Sequence, residues 1–275
     1  MNKNKNSKIF DLEGKTVVII GGAGKMGLNF ANTLLNANCR VIISDVKNYK
    51  ISDIQKKLGI TSNENLSYMS CDVNDVNQIE CMFKKIKDLI GTIDGLIYNV
   101  MSKPKGYYKS FEDYDIDTWD NVIRGNLTGA FFSSREASKY MKKNASIILT
   151  SSTYGLVGPD QRIYEELDHK TNIYGSRFPL NTPASYVASK AGIIGLVKYL
   201  ATHLGKFNIR VNALIPGGVF DGQEQAFCER YIERTPLGRM ANWSDYNGAI
   251  IFLISDASNY MTGANLIIDG GWTAW

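Results

Sequence analysis

Histidine and cysteine are scarce in this sequence: His169 and His203 are the two imidazoles, and Cys39, Cys71, Cys81 and Cys228 are the four thiols. No pair forms C-x-x-C and none has metal-ligand spacing, so no metal site is expected. No apolar run approaches the ~18 residues of a membrane span, and no secretory segment is evident. Unpaired thiols without such a segment fit a reducing cytoplasm. An excess of one charge is also missing. The 31 basic residues exceed the 27 acidic ones by four and are spread along the chain, which leaves no basic stripe for nucleic acid. No linker, repeat or low-complexity segment divides the 275 residues, and one core can serve at this length.

What is present is a succession of short apolar runs separated by amphipathic stretches. Thr16–Ile20, Arg40–Ser44, Leu66–Met69, Gly95–Tyr98, Ser146–Thr150, Arg210–Leu214 and Asn265–Ile268 read as seven strands. Their Val/Ile/Leu runs are nearly continuous, which marks strands covered on both faces and hence a parallel sheet. Helical spacing recurs between them, as in Ile79, Met82, Phe83, Ile86, Leu89 and Ile90. The expectation is an α/β protein, a single-domain Rossmann fold with a doubly wound seven-stranded parallel sheet. Residues 1–10, rich in Lys and Asn, are expected to be a flexible start, and 11–275 the domain.

Gly21-Gly22-Ala23-Gly24-Lys25-Met26-Gly27 follows the first strand and opens a helix. Gly22, Gly24 and Gly27 fit G-x-G-x-x-G, whose glycines permit a tight turn and bring a diphosphate onto the helix N-terminus. The next strand ends in Asp45, 23 positions after Gly22, near the ~20 expected for an acidic residue that accepts the adenosine ribose hydroxyls. A carboxylate there repels a 2′-phosphate, so NAD is favoured over NADP. Lys25 works against that preference, since a cation in this loop could meet a phosphate. The plainer reading of Asp45 is a cap on the following turn.

Tyr186-Val187-Ala188-Ser189-Lys190 sets a phenol and an ammonium four residues apart, on one face of a helix. Thr182-Pro183 reads as its N-cap and first helical position, and Gly205 as its stop. A free tyrosine titrates near ~10, and a neighbouring cation stabilises phenolate, which would make Tyr186 a general acid/base. Y-x-x-x-K alone is common by chance, but two partners accompany it. Ser151-Ser152-Thr153-Tyr154-Gly155 follows the fifth strand, and Asn126 lies in Gly125-Asn126-Leu127-Thr128-Gly129.

With these segments, together with Cys71-Asp72-Val73, Arg210-Val211-Asn212, Pro216-Gly217 and Asp269-Gly270-Gly271, the chain resembles the short-chain dehydrogenase/reductase family from Leu12 to about Gly271. The resemblance implies that Tyr186 exchanges the proton, that Lys190 lowers its pKa and holds the nicotinamide ribose, and that Ser152 hydrogen-bonds the reacting oxygen. It implies that Asn126 holds a water leading to Lys190. Cofactor contacts would come from Gly22, Gly24, Lys25, Met26, Gly27, Asp45, Asp72 and Val73 on one side. Asn99, Tyr186, Lys190, Pro216, Gly217 and Val219 would supply the rest. It also implies a homotetramer or homodimer on the helices near Thr128–Lys142 and Pro183–Leu204. Four positions depart from the family pattern: Ile20 replaces a threonine, Lys25 the middle glycine, Tyr98-Asn99-Val100-Met101 the usual Asn-Asn-Ala-Gly, and Asp221 a threonine after Pro-Gly.

Ser152 and Tyr186 are 186 − 152 = 34 positions apart, and residues 160–181 between them read as an insertion on the substrate side. Its Arg162 and Arg177 could hold a phosphate or carboxylate, with Ser152 and Tyr154 as further substrate contacts. A solvated insertion or an oligomer contact accounts for the same residues, and His169 is read as structural or exposed. Ser151-Ser152-Thr153-Tyr154-Gly155, Ile163-Tyr164-Glu165 and Pro216-Gly217-Gly218-Val219-Phe220-Asp221-x-Gln223 are similar to a branch of bacterial oxidoreductases associated with legionaminic-acid and flagellin-glycan sugars. The function expected is an NAD(P)-dependent alcohol/ketone oxidoreductase acting on a carbohydrate. Two other readings are a 3-oxoacyl or general alcohol reductase with an apolar wall, and a non-catalytic NAD-binding sensor or scaffold. Trp272 and Trp275 are expected either on a neighbouring subunit or in simple tail packing.

Overall fold

The computed structural model describes residues 8–168 and 172–275. Seven parallel strands form one sheet in the order β3-β2-β1-β4-β5-β6-β7: β1 Thr16–Ile20, β2 Arg40–Asp45, β3 Leu66–Ser70, β4 Ile93–Tyr98, β5 Met141–Thr150, β6 Arg210–Pro216 and β7 Asn265–Ile268. The order reverses between β1 and β4, which opens a crevice at the strand ends where such sheets take ligands. The sheet is one domain with helices on both faces. On one side lie α1 Lys25–Asn36, α2 Ile51–Leu58 and α8 Asn247–Ile254; on the other lie α3 Val76–Ile90, α4 Ile116–Ile123, α5 Gly129–Ser138 and α6 Ala184–Leu204. α7, Gln225–Glu233, stands over the crevice.

Alternate side chains of each strand feed opposite cores, and this explains the unbroken apolar runs. Val18, Ile20, Leu96 and Ile147 join the α3/α6 core, whereas Val17, Ile19, Ile97 and Ile148 join the α1/α8 core. β2, β3, β4 and β6 extend one or two residues beyond the sequence reading, and two boundaries differ for a structural reason. β5 begins at Met141, because Lys142, Lys143 and Asn144 continue the strand as an exposed segment after a register shift against β4. α6 is capped by extended Pro183 with Ala184 as its first residue, and Gly205 opens a further 3-10 turn that ends at left-handed Asn208. Lys8–Phe10 form a 3-10 turn, while residues 1–7 of the expected flexible start lie outside the described residues, as does His169.

The glycine-rich turn is set by steric demands. Gly21 has φ +75°, and a Cβ there would lie 2.8 Å from the Asn99 backbone; a Cβ on Gly27 would lie 2.5 Å from Gly22 Cα. Gly21 is therefore required although it stands outside the three motif glycines, whereas Gly24 has no neighbour nearer than 3.8 Å. Gly27→Ala forces backbone apart, at about 2–4 kcal/mol of stability. Calorimetry is expected to show a melting midpoint lower by roughly 5–10 °C; an unchanged midpoint would contradict this packing.

Candidate active site

A cavity of 920 Å³ runs along the carboxyl ends of the strands. Its first half is built by chain turns leaving four of them. Ile20 and Gly21 leave β1, Asp45 ends β2, Cys71, Asp72 and Val73 follow β3, and Asn99 follows β4. Lys25 and Met26 line it from the start of α1. The Asn99 amide donates to Ile20 O at 2.8 Å and so locks the β4 exit against β1. The Asp45 carboxylate accepts from Ala23 N at 3.1 Å and Val46 N at 2.9 Å. It is thereby held at the rim with lone pairs still directed outward.

These residues suit a dinucleotide. The turn excludes any Cβ at Gly21 and Gly27, α1 begins at Lys25 with extended Gly24 as its cap, and Asp45 waits at the adenosine end. A helix N-terminus of this kind presents unpaired amides to a phosphate. Gly22 and Gly27 themselves do not line the cavity; they shape the turn. Lys25 is joined to Asp221 by an ion pair across the rim. Two of the four departures from the family pattern thus meet each other.

The second half holds the chemistry. Thr150, Ser151 and Ser152 at the end of β5, Tyr186 and Lys190 on α6, and Pro216, Gly217 and Val219 after β6 all face the same cavity. Ser152 hydrogen-bonds the Tyr186 phenol, and its Oγ accepts from Tyr154 N at 3.2 Å. The Lys190 ammonium lies 5.8 Å from the Tyr186 ring centroid and donates to Thr150 O at 2.8 Å. Ser151 Oγ donates to Lys190 O at 2.7 Å, which ties α6 to the strand end.

Burial pushes the Tyr186 phenol up to about 12, against the pull of its Ser152 hydrogen bond, and pushes the Lys190 ammonium down to about 8. The direction at Tyr186 is opposite to the expected one. The Lys190 charge is spent on Thr150 O, so desolvation dominates over cation stabilisation.

Asn126 does not line the cavity. It is buried in a π-helical turn, Arg124–Thr128, between α4 and α5, the kind of irregularity that often marks functional positions. Its Nδ2 donates to Ser189 Oγ at 3.0 Å and its Oδ1 accepts from Ser102 N at 2.8 Å. It thereby braces α6, one residue before Lys190, against the β4–α4 loop.

The far wall is aromatic and polar, with Tyr107, Tyr108, Tyr164, Tyr174, Asn181 and Thr182. Ile163 and Leu167 of the insertion pack with Tyr154, Phe227, Tyr231, Met240 and Trp272, and Tyr164 Oη hydrogen-bonds Thr182 Oγ1 at 2.6 Å. Trp272 stacks on Tyr231 at 4.2 Å between centroids, so it is tail packing within the chain, while Trp275 is exposed.

Arg162 is a correction to the sequence reading. It is absent from the cavity wall, and Asp160 holds its guanidinium in two hydrogen bonds of 2.8 Å. Arg177 lines a smaller adjoining cavity and not the main one. Lys103, Tyr107, Tyr108 and the α7 residues were not foreseen; they follow β4 and β6 in loops without periodic patterning.

Among the described residues no helix is long and apolar enough to cross a membrane, and no group of three His, Cys, Asp or Glu is placed to hold a metal ion.

Known proteins carry the same arrangement. A family described as short chain dehydrogenase matches residues 15–164, and one described as enoyl-(acyl carrier protein) reductase matches 170–273. The chain is 34% identical to trans-4-hydroxycyclohexanecarboxylate dehydrogenase of Sinomonas cyclohexanicum, over 98% of this chain and 96% of that one. It is 26% identical to post-translational flagellin modification protein A of Campylobacter coli, over 95% and 99%. A short chain dehydrogenase from Leptospira borgpetersenii, solved with bound NAD+, superposes with a TM-score of 0.81 at 30% identity, covering 99% of this chain and 97% of that one. Sheet order, glycine turn and the Ser-Tyr-Lys convergence therefore have one common origin: the chain belongs to the short-chain dehydrogenase family, NAD(P)-binding oxidoreductases of CH–OH groups.

Proposed function

We propose that the chain interconverts a secondary alcohol and a ketone on a hydroxylated, carbohydrate-like substrate, with NAD as the preferred cofactor. The observation that carries this reading is the convergence of Ser152, Tyr186 and Lys190 in one cavity with Asp45 and the glycine turn. Bound nicotinamide supplies the hydride acceptor or donor. In the oxidising direction the Tyr186 Oη, as phenolate, takes the substrate hydroxyl proton, and Ser152 Oγ hydrogen-bonds the same oxygen. Lys190 stabilises the phenolate once its ammonium turns from Thr150 O toward the cavity. Reduction reverses the proton transfer. Asn126 acts through Ser189 by fixing the height of α6.

The cavity wall supports a polar substrate over an acyl chain, because Tyr108, Tyr164, Asn181 and Thr182 present hydroxyls and an amide beside Tyr186. The Sinomonas relative is named for a ring alcohol that carries a carboxylate, which supports a ring-shaped secondary alcohol, and the Campylobacter relative for flagellin modification, which supports a sugar used in surface glycans, here a sugar phosphate or nucleotide sugar. The test is a panel of phosphosugars, nucleotide sugars and hydroxycyclohexanecarboxylates, followed at the nicotinamide absorbance band. Turnover confined to 3-oxoacyl substrates would replace this reading, and NADH binding without turnover of any alcohol or ketone would favour a sensor.

A pH dependence follows from the Tyr186 environment. A phenol pushed up to about 12 by burial is almost wholly protonated at neutrality. The phenolate fraction rises about tenfold per pH unit below that value. Alcohol oxidation is therefore expected to accelerate in kcat/KM from pH 6 to about 8 and to level off above that, where Lys190, pushed down to about 8, loses the ammonium that stabilises the phenolate, while ketone reduction, which uses the phenol, stays level up to pH 8. An oxidation rate that declines over this range would remove Tyr186 as the base.

A further inference from the structure

Beside the main cavity lies a second one of 310 Å³, and Lys103, Pro104, Tyr107, Tyr108 and Tyr174 line both. Its remaining described lining is Lys105, Gly175, Ser176 and Arg177, so among the described residues three cations face it without a carboxylate. Lys103 stands at the join. Its Nζ lies 3.2 Å from the centroid of the Tyr174 ring, which stacks on Tyr108 at 6.0 Å with 9° between planes. Among the described residues Lys103 has no ion-pair partner; the carboxylate that acts on it, Asp221, is held by Lys25. A half-buried ammonium supported by ring faces alone lacks the anion that would offset its lost hydration.

We propose that Lys103 receives an oxyanion carried by the substrate, a phosphate or a carboxylate, and that the annexe with Lys105 and Arg177 houses this group while the reacting carbinol sits at Tyr186. This rests on the reading of the main cavity as the alcohol-oxidising site. Arg162 and Arg177 are the cations that the sequence offers to an anionic ligand. Here the anion-binding task passes from Arg162, already neutralised by Asp160, to a lysine in the loop after β4. Tyr108 and Tyr174 would guide a flat or ring-shaped substrate between the two points, since their rings line both cavities.

Protonation provides a second handle. Burial pushes the Lys103 ammonium down to about 7, opposed by Asp221. The other groups facing it are Tyr107, Tyr108 and Tyr174, phenols that burial raises and keeps neutral below pH 10, and the cations Lys105 and Arg177. Anion affinity should therefore fall as pH rises through neutrality.

The test uses the chain saturated with NADH, so that the dinucleotide's own phosphate positions are filled. Inorganic phosphate and acetate are titrated separately into the unsubstituted protein, Lys103→Met and Lys103→Arg at about pH 6.5. Saturable binding is expected in the unsubstituted protein. Lys103→Met should weaken it about tenfold or more and Lys103→Arg by less than about threefold, with NADH affinity equal in all three. Tighter phosphate than acetate assigns a phosphoryl group, and the reverse a carboxylate. In the unsubstituted protein, acetate, ionised throughout, should bind at least about tenfold more weakly at pH 9 than at pH 6. Binding in Lys103→Met equal to the unsubstituted protein, or acetate affinity independent of pH, overturns the site, as does the lack of saturable binding of either ion. Turnover of neutral sugars in a protein that fails these tests removes the anion site and leaves the dehydrogenase reading intact. Anion binding abolished by Lys103→Met in a protein that oxidises no alcohol does the reverse.

Discussion

Tyr186→Phe is expected to lower kcat by about 10²–10⁴-fold, the usual contribution of a positioned acid/base, while NADH binds within about threefold of the unsubstituted affinity. The substitution deletes one oxygen from a ring whose packing is otherwise kept by Leu180, Val187 and the Tyr107–Tyr108 cluster. The Tyr186 side chain donates to no structural backbone group, so the fold has no stake in the hydroxyl; its recorded partner is the Ser152 hydroxyl, which faces the same cavity. Single-turnover rates with a saturating substrate separate the chemical step from binding, and fluorescence titration gives the NADH affinity. Residual turnover within tenfold of the unsubstituted protein would transfer the proton step to another group. The candidate is Lys190, pushed down to about 8 and 5.8 Å from the Tyr186 ring centroid.

The framework of this site is legible in the sequence because parallel strands must be apolar on both faces, and these runs are short, rich in Val and Ile and bounded by turn residues. Each functional segment then follows a strand end directly: Gly21 after Ile20, Asp45 closing β2, Ser152 two residues past Thr150. Local grammar and topology agree there. Legibility fails where a side chain's role depends on a partner far along the chain. Lys25 and Asp221, 196 positions apart, look like two separate defects in a motif until the fold joins them. Arg162 fails for a local reason instead: its spacing from Asp160 does not say whether the side chain turns back to that carboxylate or out into the cavity, and it turns back. Lys103 carries no sequence signature, since its setting is two tyrosine rings, one of them 71 positions away. The Tyr186 shift runs against the direction that spacing suggests for a related reason. Spacing places Lys190 on the correct face, but only the strand end reveals that Thr150 O holds its ammonium.

Cofactor choice should change most at Asp45. Its carboxylate is fixed by two backbone amides at the end of β2, where an adenosine ribose would lie. A 2′-phosphate placed there would meet a like charge in a partly enclosed cleft, a juxtaposition that costs several kcal/mol. The unsubstituted protein is therefore expected to bind NADH more tightly than NADPH. Asp45→Ser removes the repulsion while keeping a small hydrogen-bonding group, and should shift the ratio of the two dissociation constants toward NADPH by about 100-fold, or ~2.7 kcal/mol. Lys25 is the cation that opposes this preference, and the ion pair with Asp221 is expected to hold it back. With the Asp221 carboxylate on its ammonium, Lys25 offers little net charge to a phosphate. Freeing it by Asp221→Asn in the Asp45→Ser background should move the ratio further, by about 3–10-fold, and the added part should shrink at high salt because Lys25 is largely exposed. The decisive comparison is a set of equilibrium titrations of NADH and NADPH into the three proteins. A ratio unmoved by Asp45→Ser would mean that the carboxylate serves only as the cap its two amide hydrogen bonds describe. A second step absent in the double variant would mean that Lys25 stays clear of the cofactor even when released.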